Sequence, residues 1–121
     1  LMSSNIFFAD DEVNVRLAMR LLLDQAGYKL IGEAEDTESL LAQVCSSPPD
    51  VILLDWELPG LRAQHLLPVL RKYCPHTKVI AMSAQPEAQR AAINSGVNAF
   101  VSKGNSSDEL LTILAHIISQ T

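Results

Sequence analysis

The sequence contains five short apolar runs, and side chains that could do chemistry follow four of them. Asp10 and Asp11 follow the first run, and Asp55 follows the third. Ser83 follows the fourth run, and Lys103 stands just beyond the fifth. A carboxylate is a competent nucleophile toward phosphorus, and phosphoryl transfer needs mainly positioning and neutralisation of the equatorial oxygens. These residue types together therefore suit the handling of a phosphoryl group.

The charges of this set predict a metal ion. Asp10, Asp11 and Asp55 bring three negative charges, and Lys103 brings one positive charge. Carboxylates packed together raise the pKa of one of their number unless a cation relieves the repulsion. Mg2+ is the usual ion where a phosphoryl group must also be held, because it takes one or two carboxylates and keeps waters at its open positions. We expect Mg2+, Lys103 and the Ser83 hydroxyl each to contact one phosphoryl oxygen.

The five runs predict β-strands, because each is too short for a core helix and is rich in branched or aromatic residues. The predicted strands cover residues 5–9, 29–34, 51–54, 78–82 and 99–101. The second run alternates apolar with charged residues, which favours the edge of a sheet.

Helical patterns separate the runs, over residues 13–26, 37–46, 64–73, 86–95 and 107–119. Pro68 falls inside the third pattern, so this helix either starts late or is kinked. Ser106 stands three residues before Glu109, which predicts a capping box at the start of the last helix.

Strands and helices alternate as (βα)5, which predicts an α/β fold with right-handed crossovers and a parallel five-stranded sheet. A doubly wound, flavodoxin-like sheet of this size has the strand order 2-1-3-4-5 and binds ligands beyond the carboxyl ends of its strands. That edge is where the carboxylates, the hydroxyl and the ammonium would meet.

Composition excludes other classes of function. The chain has 121 residues, about the size of one domain, with nine Lys and Arg and a net charge of -5. This charge argues against binding of nucleic acid by this segment alone. No apolar run approaches the roughly 20 residues that span a bilayer, and no signal peptide is recognisable. We therefore expect no membrane partner and a cytoplasmic location.

Four motifs resemble the signature of receiver domains of response regulators in two-component signalling. They are Asp10-Asp11, the run Asp55-Trp56-Glu57-Leu58-Pro59-Gly60, Ser83-Ala84 and Lys103. The resemblance covers nearly the whole chain, and the segment Asn98–Lys103 with the last helix is most similar to the NarL/LuxR type. It implies a single receiver domain over residues 1–121, with any output domain beyond its C-terminus.

The resemblance also implies the roles of the acidic residues. Asp55 would accept the phosphoryl group. Asp11, Asp55 and the backbone carbonyl of Glu57 would bind Mg2+ directly, and Asp10 would bind it through water.

The remaining roles implied by the resemblance concern signalling. Lys103 and Ser83 would contact the phosphoryl group. Ser83 and Phe100 would act as switch residues and change the surface made by the fourth helix, fifth strand and fifth helix. Phe100 stands where many relatives have tyrosine, and Gly104 stands where many have proline. Glu57, with Gln85, resembles positions that tune the phosphoryl lifetime.

The partners follow from the same resemblance. The histidines share no ligand spacing, so the phosphodonor histidine would belong to a partner sensor histidine kinase. A homodimer is a possible further partner that the sequence leaves open, and DNA would be bound only through an output domain that controls transcription. We expect a signalling phosphoacceptor with at most weak self-phosphorylation and self-dephosphorylation, and no metabolic turnover.

Two other functions remain open at the level of sequence. A binding module could keep the fold and signal without phosphate, which Gly104 favours. A phosphatase of the haloacid-dehalogenase type could use Asp55 as a covalent nucleophile. Such enzymes want a second aspartate two residues further on as general acid, and Glu57 occupies that place.

Overall fold

The computed structural model describes residues 4–120. Strands and helices alternate along the chain, as the sequence predicts. They are β1 (Asn5–Ala9), α1 (Val13–Gln25), β2 (Lys29–Ala34), α2 (Thr37–Val44), β3 (Val51–Asp55), α3 (Ala63–Tyr73), β4 (Lys78–Ser83), α4 (Ala88–Asn94), β5 (Ala99–Ser102) and α5 (Ser107–Ser119). All strand pairs are parallel, and the order β2-β1-β3-β4-β5 confirms the predicted topology.

Three strands extend one residue further than predicted, which draws the polar residues of the site into the sheet. Asp55 is the last residue of β3 and pairs with Met82. Ser83 is the last residue of β4 and pairs with Ser102. The sheet therefore fixes the backbone of these polar residues directly, rather than through a flexible loop.

Each face of the sheet is covered by helices, because alternate residues of the central strands point to opposite sides. One core cluster joins the sheet to α2, α3 and α4; its members include Phe7, Ile52, Leu54, Val79, Leu40, Leu66 and Leu70. The other joins it to α1 and α5; its members include Ile6, Phe8, Leu53, Ile80, Leu23, Leu110 and Leu114. Burial on both faces explains why the central runs show little alternation.

The pairing of the edge strand β2 with β1 contains a shift of register that the sequence pattern does not predict. Ile6 pairs with Leu30 but Phe7 pairs with Gly32, so Ile31 is left out of the register and is 36% exposed. A Cβ at Gly32 would lie 2.7 Å from Cε2 of Phe7. Glycine therefore lets the Phe7 ring pack close to the backbone of the neighbouring strand.

The helix starts follow local rules. Asp36 caps α2 by accepting a hydrogen bond from Ser39 N at 2.8 Å. Ser106 caps α5 by accepting from Glu109 N at 3.3 Å, which confirms the serine half of the predicted capping box. Pro68 lies inside α3, which begins at Ala63, so of the two predicted alternatives the late start is wrong and the kink stays a prediction.

Two surface features complete the fold. Val13, Leu17 and Leu21 lie four residues apart on α1 and are exposed by 66%, 48% and 57%, which makes an apolar stripe on its outer face. Within residues 4–120, no helix has both the length and the apolar character needed to cross a bilayer.

Candidate functional site

The parallel sheet brings the polar strand-end residues to one edge. Asp10 directly follows β1, Asp55 ends β3, Ser83 ends β4 and Lys103 directly follows β5. Asp10, Asp55 and Ser83 are 0%, 3% and 0% exposed. Backbone bonds continue the sheet to this point, since Asp10 N donates to Ala34 O at 2.9 Å and Lys103 N donates to Ser83 O at 2.8 Å. The crevice is thus part of the rigid sheet.

Three carboxylates converge in the crevice. Asp10, Asp11 and Asp55 each offer an oxygen, and these oxygens lie within 4.8 Å of one another. Asp10 and Asp55 are buried, whereas Asp11 is exposed. Hard oxygen donors of this kind suit a divalent cation such as Mg2+. The donor set and its spacing therefore fit the metal that the sequence predicts.

Lys103 joins the two buried carboxylates. Its Nζ lies 2.7 Å from Oδ2 of Asp10 and 3.4 Å from Oδ1 of Asp55. The other oxygen of Asp10, Oδ1, accepts a hydrogen bond from Glu12 N at 2.9 Å. Asp10 is therefore held on both of its oxygens, while one side of Asp55 remains available.

The electrostatics of the crevice leave a surplus of negative charge. Burial raises the pKa of the Asp55 carboxyl, although the Glu57 N–H that donates to its Oδ1 and the charge of Lys103 both act in the opposite direction. Burial acts to lower the pKa of Lys103, but its hydrogen bond to Asp10 and the charge of Asp55 outweigh this and raise it. Lys103 is therefore a permanent cation at neutral pH, and one cation faces three acids.

Ser83 reaches the crevice, but its hydroxyl is already engaged. Its Oγ donates to the carboxylate of Glu57, with Oε1 at 2.9 Å and Oε2 at 3.0 Å. The same Oγ accepts from Gln85 N at 3.0 Å. The sequence predicts Glu57 as a backbone metal ligand and as a position that tunes the phosphoryl lifetime, but it does not predict the bond between the Glu57 carboxylate and Ser83. The pairing of β3 with β4 was the available signal, because it places the residues that follow Asp55 beside Ser83.

The other predicted residues occupy the surroundings of the crevice. Phe100 is half-buried in β5 and packs against the core on the α2, α3 and α4 side. Trp56 is half-buried, and its backbone N–H donates to Met82 O at 2.7 Å. The peptide bond between Lys103 and Gly104 is trans, and Gly104 N donates to Ser102 Oγ at 3.3 Å. The three histidines, His65, His76 and His116, are exposed and stand outside the acidic cluster.

Comparison with known proteins gives the chain a family. The model of the response regulator receiver domain matches residues 6–115. The phosphate regulon transcriptional regulatory protein PhoB of Pseudomonas aeruginosa is 29% identical over 125 residues, which cover 100% of this chain and 54% of that protein. The Fimbriae Z protein of Salmonella typhimurium is 27% identical over 119 residues, or 96% of this chain and 57% of that protein. The chain thus spans little more than half the length of these relatives.

A solved structure agrees with the fold. The signal receiver domain of NarL from Mycobacterium tuberculosis superposes with a TM-score of 0.89 over 100% of both chains. Its sequence identity to this chain is 24%, so this likeness concerns the architecture.

Proposed function

This chain belongs to the response regulator receiver domain family, and from that membership we propose that it accepts a phosphoryl group on Asp55 from a partner sensor histidine kinase. One observation carries the proposal. Asp55 is 3% exposed, lies 3.4 Å from Lys103 Nζ, and shares its crevice with two further carboxylates. A nucleophile, a fixed cation and a set of metal ligands are the parts that phosphoryl transfer needs.

The contacts of Asp55 assign its two oxygens. Oδ1 accepts from Glu57 N and faces Lys103, whereas Oδ2 accepts no hydrogen bond from residues 4–120. We assign Oδ2 as the attacking atom. A bond forms between Oδ2 and phosphorus as the bond from phosphorus to the donor imidazole nitrogen breaks, and the nitrogen keeps that electron pair. Lys103 neutralises charge on the phosphoryl oxygens during the transfer.

Mg2+ is the proposed cofactor. Asp11, Asp55 and the backbone carbonyl of Glu57 would hold it, and when bound it supplies positive charge to the phosphoryl oxygens. Asp10 would reach it through water, a role supported by the bonds that already occupy both Asp10 oxygens. The exposed position of Asp11 supports direct binding from solvent.

The proposed output is a change of surface. Ser83 would turn toward the phosphoryl group and Phe100 would follow it inward, which alters the face made by α4, β5 and α5. This proposal treats residues 1–121 as one receiver domain of the NarL/LuxR type in the cytoplasm, which forms a homodimer and controls transcription through an output domain that binds DNA. The apolar stripe on α1 (Val13, Leu17 and Leu21) supports contact with a protein partner.

Acetyl phosphate tests the proposal without a kinase. Intact mass should show one added phosphoryl group on the wild-type protein, dependent on Mg2+, and none on Asp55→Asn. Asp24→Asn is the matched control, because Asp24 is an exposed acid near the end of α1 and should leave uptake unchanged. We expect at most weak self-phosphorylation and slow self-dephosphorylation.

Three results would contradict the proposal. Folded, Mg2+-saturated protein that takes up no phosphoryl group would exclude it. Partner binding that is the same in the wild type and Asp55→Asn would favour a module that signals without phosphate. Many turnovers on small phosphate esters would favour a phosphatase.

A further inference from the structure

The single proton of the Ser83 hydroxyl is already donated in a hydrogen bond. A serine hydroxyl can donate one hydrogen bond and accept two. In this structure Ser83 Oγ donates to the Glu57 carboxylate, whose two oxygens lie at 2.9 and 3.0 Å, and accepts from Gln85 N. Ser83 therefore cannot donate to a phosphoryl oxygen until its bond to Glu57 breaks.

The Glu57 carboxylate is a strong competitor for this proton. An ionised acceptor makes a shorter and stronger hydrogen bond than a neutral one. Ser83 is fully buried, whereas Glu57 is exposed on the turn after β3. The carboxylate therefore lies at the mouth of the crevice with water on its outer side, and it can swing away without opening the core.

The same hydroxyl is tied to the start of α4. Gln85 N donates to Ser83 Oγ at 3.0 Å, and Ala88 N, at the first residue of α4, donates to Gln85 O at 3.0 Å. If the Ser83 side chain rotates toward Asp55, either its hydrogen bond from Gln85 N breaks or the backbone of Gln85 moves with it. Release from Glu57 is in this way linked to the loop that leads into α4.

We propose that Glu57 is a positioning residue that holds the Ser83 hydroxyl in the resting state and competes with the phosphoryl group for it. The inference rests on the proposed phosphorylation of Asp55 and adds a residue of this chain that sets the balance between the resting and active states. An equilibrium of this kind shifts only by the difference in binding between the two states, so the loss of the competitor favours the active state.

Beryllofluoride, a phosphoryl mimic, tests this competition in Mg2+-saturated protein by calorimetric titration. Glu57→Ala should bind beryllofluoride about two- to tenfold more tightly than the wild type, the range expected for the loss of one such hydrogen bond. Glu57→Gln retains an uncharged acceptor and should fall between the two. Asp24→Ala removes one surface charge far from the crevice and should leave the Kd unchanged.

The Ser83→Ala background separates competition for the hydroxyl from simple charge repulsion. If Glu57 acts through Ser83, the gain from Glu57→Ala should fall below about twofold when the hydroxyl is absent, because the two residues then share one interaction. Equal gains in both backgrounds would mean that Glu57 merely repels an anion, and the inference would be wrong.

A second measurement needs no ligand. In the resting protein, Glu57→Ala should shift the amide proton resonance of Gln85, and Asp24→Ala should not. An unmoved Gln85 resonance would contradict the resting contact. Failure of wild-type protein to take up phosphate from acetyl phosphate would overturn the proposed function and this inference together, whereas normal uptake with additive effects at Glu57 and Ser83 would overturn the inference alone.

Discussion

Asp55 and Asp10 are buried carboxylates, and an apolar side chain in either position would carry no cost of desolvating a charge. They are 3% and 0% exposed, and a buried charge costs several kcal/mol unless it is paired. Asp10 has Lys103 at 2.7 Å, but the corresponding distance to Asp55 is 3.4 Å, and burial raises the pKa of Asp55. Asp55, the proposed nucleophile, is thus the less well compensated of the two acids.

Substitution of Asp55 should therefore stabilise the metal-free protein. The pKa of Asp55 is higher in the folded than in the unfolded state, so its ionisation destabilises the fold fully above the folded pKa. This penalty shrinks as the pH falls below the folded pKa and is gone below the unfolded pKa. We expect Asp55→Asn to raise the free energy of unfolding by about 1 kcal/mol at neutral pH, and by less in acid. Urea unfolding with a chelator present at both pH values measures this.

Asp24→Asn again serves as the control for this measurement, because the exposed Asp24 carries no burial penalty. An Asp55→Asn variant that is less stable than the wild type at neutral pH would show that the bonds of Asp55 to Lys103 and Glu57 outweigh its burial.

The turn after β3 is locked to α2 by a glycine and a threonine. Gly60 has a φ of +115°, and a Cβ there would collide with Oγ1 of Thr37. Thr37 is buried at the start of α2; its N–H donates to Pro59 O at 3.0 Å and its Oγ1 accepts from Leu61 N at 3.0 Å. These contacts fix the turn that carries Glu57. The backbone carbonyl of Glu57 is a proposed Mg2+ ligand, and its carboxylate accepts the hydrogen bond from Ser83.

Gly60→Ala should cost more stability than the backbone angle alone explains. Gly96 has a similar φ of +100°, with nothing within 4 Å of its missing Cβ, so Gly96→Ala measures the angle without the collision. We expect roughly 1 kcal/mol for Gly96→Ala and roughly 2–3 kcal/mol for Gly60→Ala, measured by urea unfolding. Equal losses would mean that Thr37 moves aside freely.

The elements themselves could be predicted from the sequence, because strand and helix periods and the breaks between them are local properties. What escaped prediction depends on pairing across the chain. The exclusion of Ile31 from the register requires the Phe7 ring as neighbour, and the bond from Ser83 to Glu57 requires β3 beside β4. Pro68 predicts either a late start or a kink of α3. The late start is wrong because the helix begins at Ala63, where packing of its buried face outweighs one lost hydrogen bond.

The whole molecule makes one crevice from segments that are remote in sequence. The order β2-β1-β3-β4-β5 places β1 beside β3, so Asp10 and Asp11 meet Asp55, and β5 brings Lys103 across the end of β4. The convergence of these residues was predictable from alternation alone, because parallel strands end at a common edge. Their distances and the partners of each oxygen were not.

A ligand bound in this crevice should raise the free energy of unfolding of the whole domain. A ligand that binds only the folded state adds RT ln(1 + [L]/Kd) to its stability, about 2.7 kcal/mol at a hundredfold excess over Kd. We expect Mg2+ to raise the melting temperature of the wild-type protein and to have much less effect on Asp11→Asn, while metal-free stability is similar because Asp11 is exposed. A scanning calorimeter with and without chelator gives both values, and an identical Mg2+ response in Asp11→Asn would contradict the assignment.

The bond between Lys103 and Asp10 joins residues 93 positions apart. During synthesis, the three acids emerge from the ribosome long before their lysine. A nascent chain that has completed β3 but not β5 carries the acidic cluster without its amine, so chemical competence arrives with the last strand. Under the proposed function, truncated or incomplete copies would take up no phosphoryl group, because the site is complete only when β5 and Lys103 are in place.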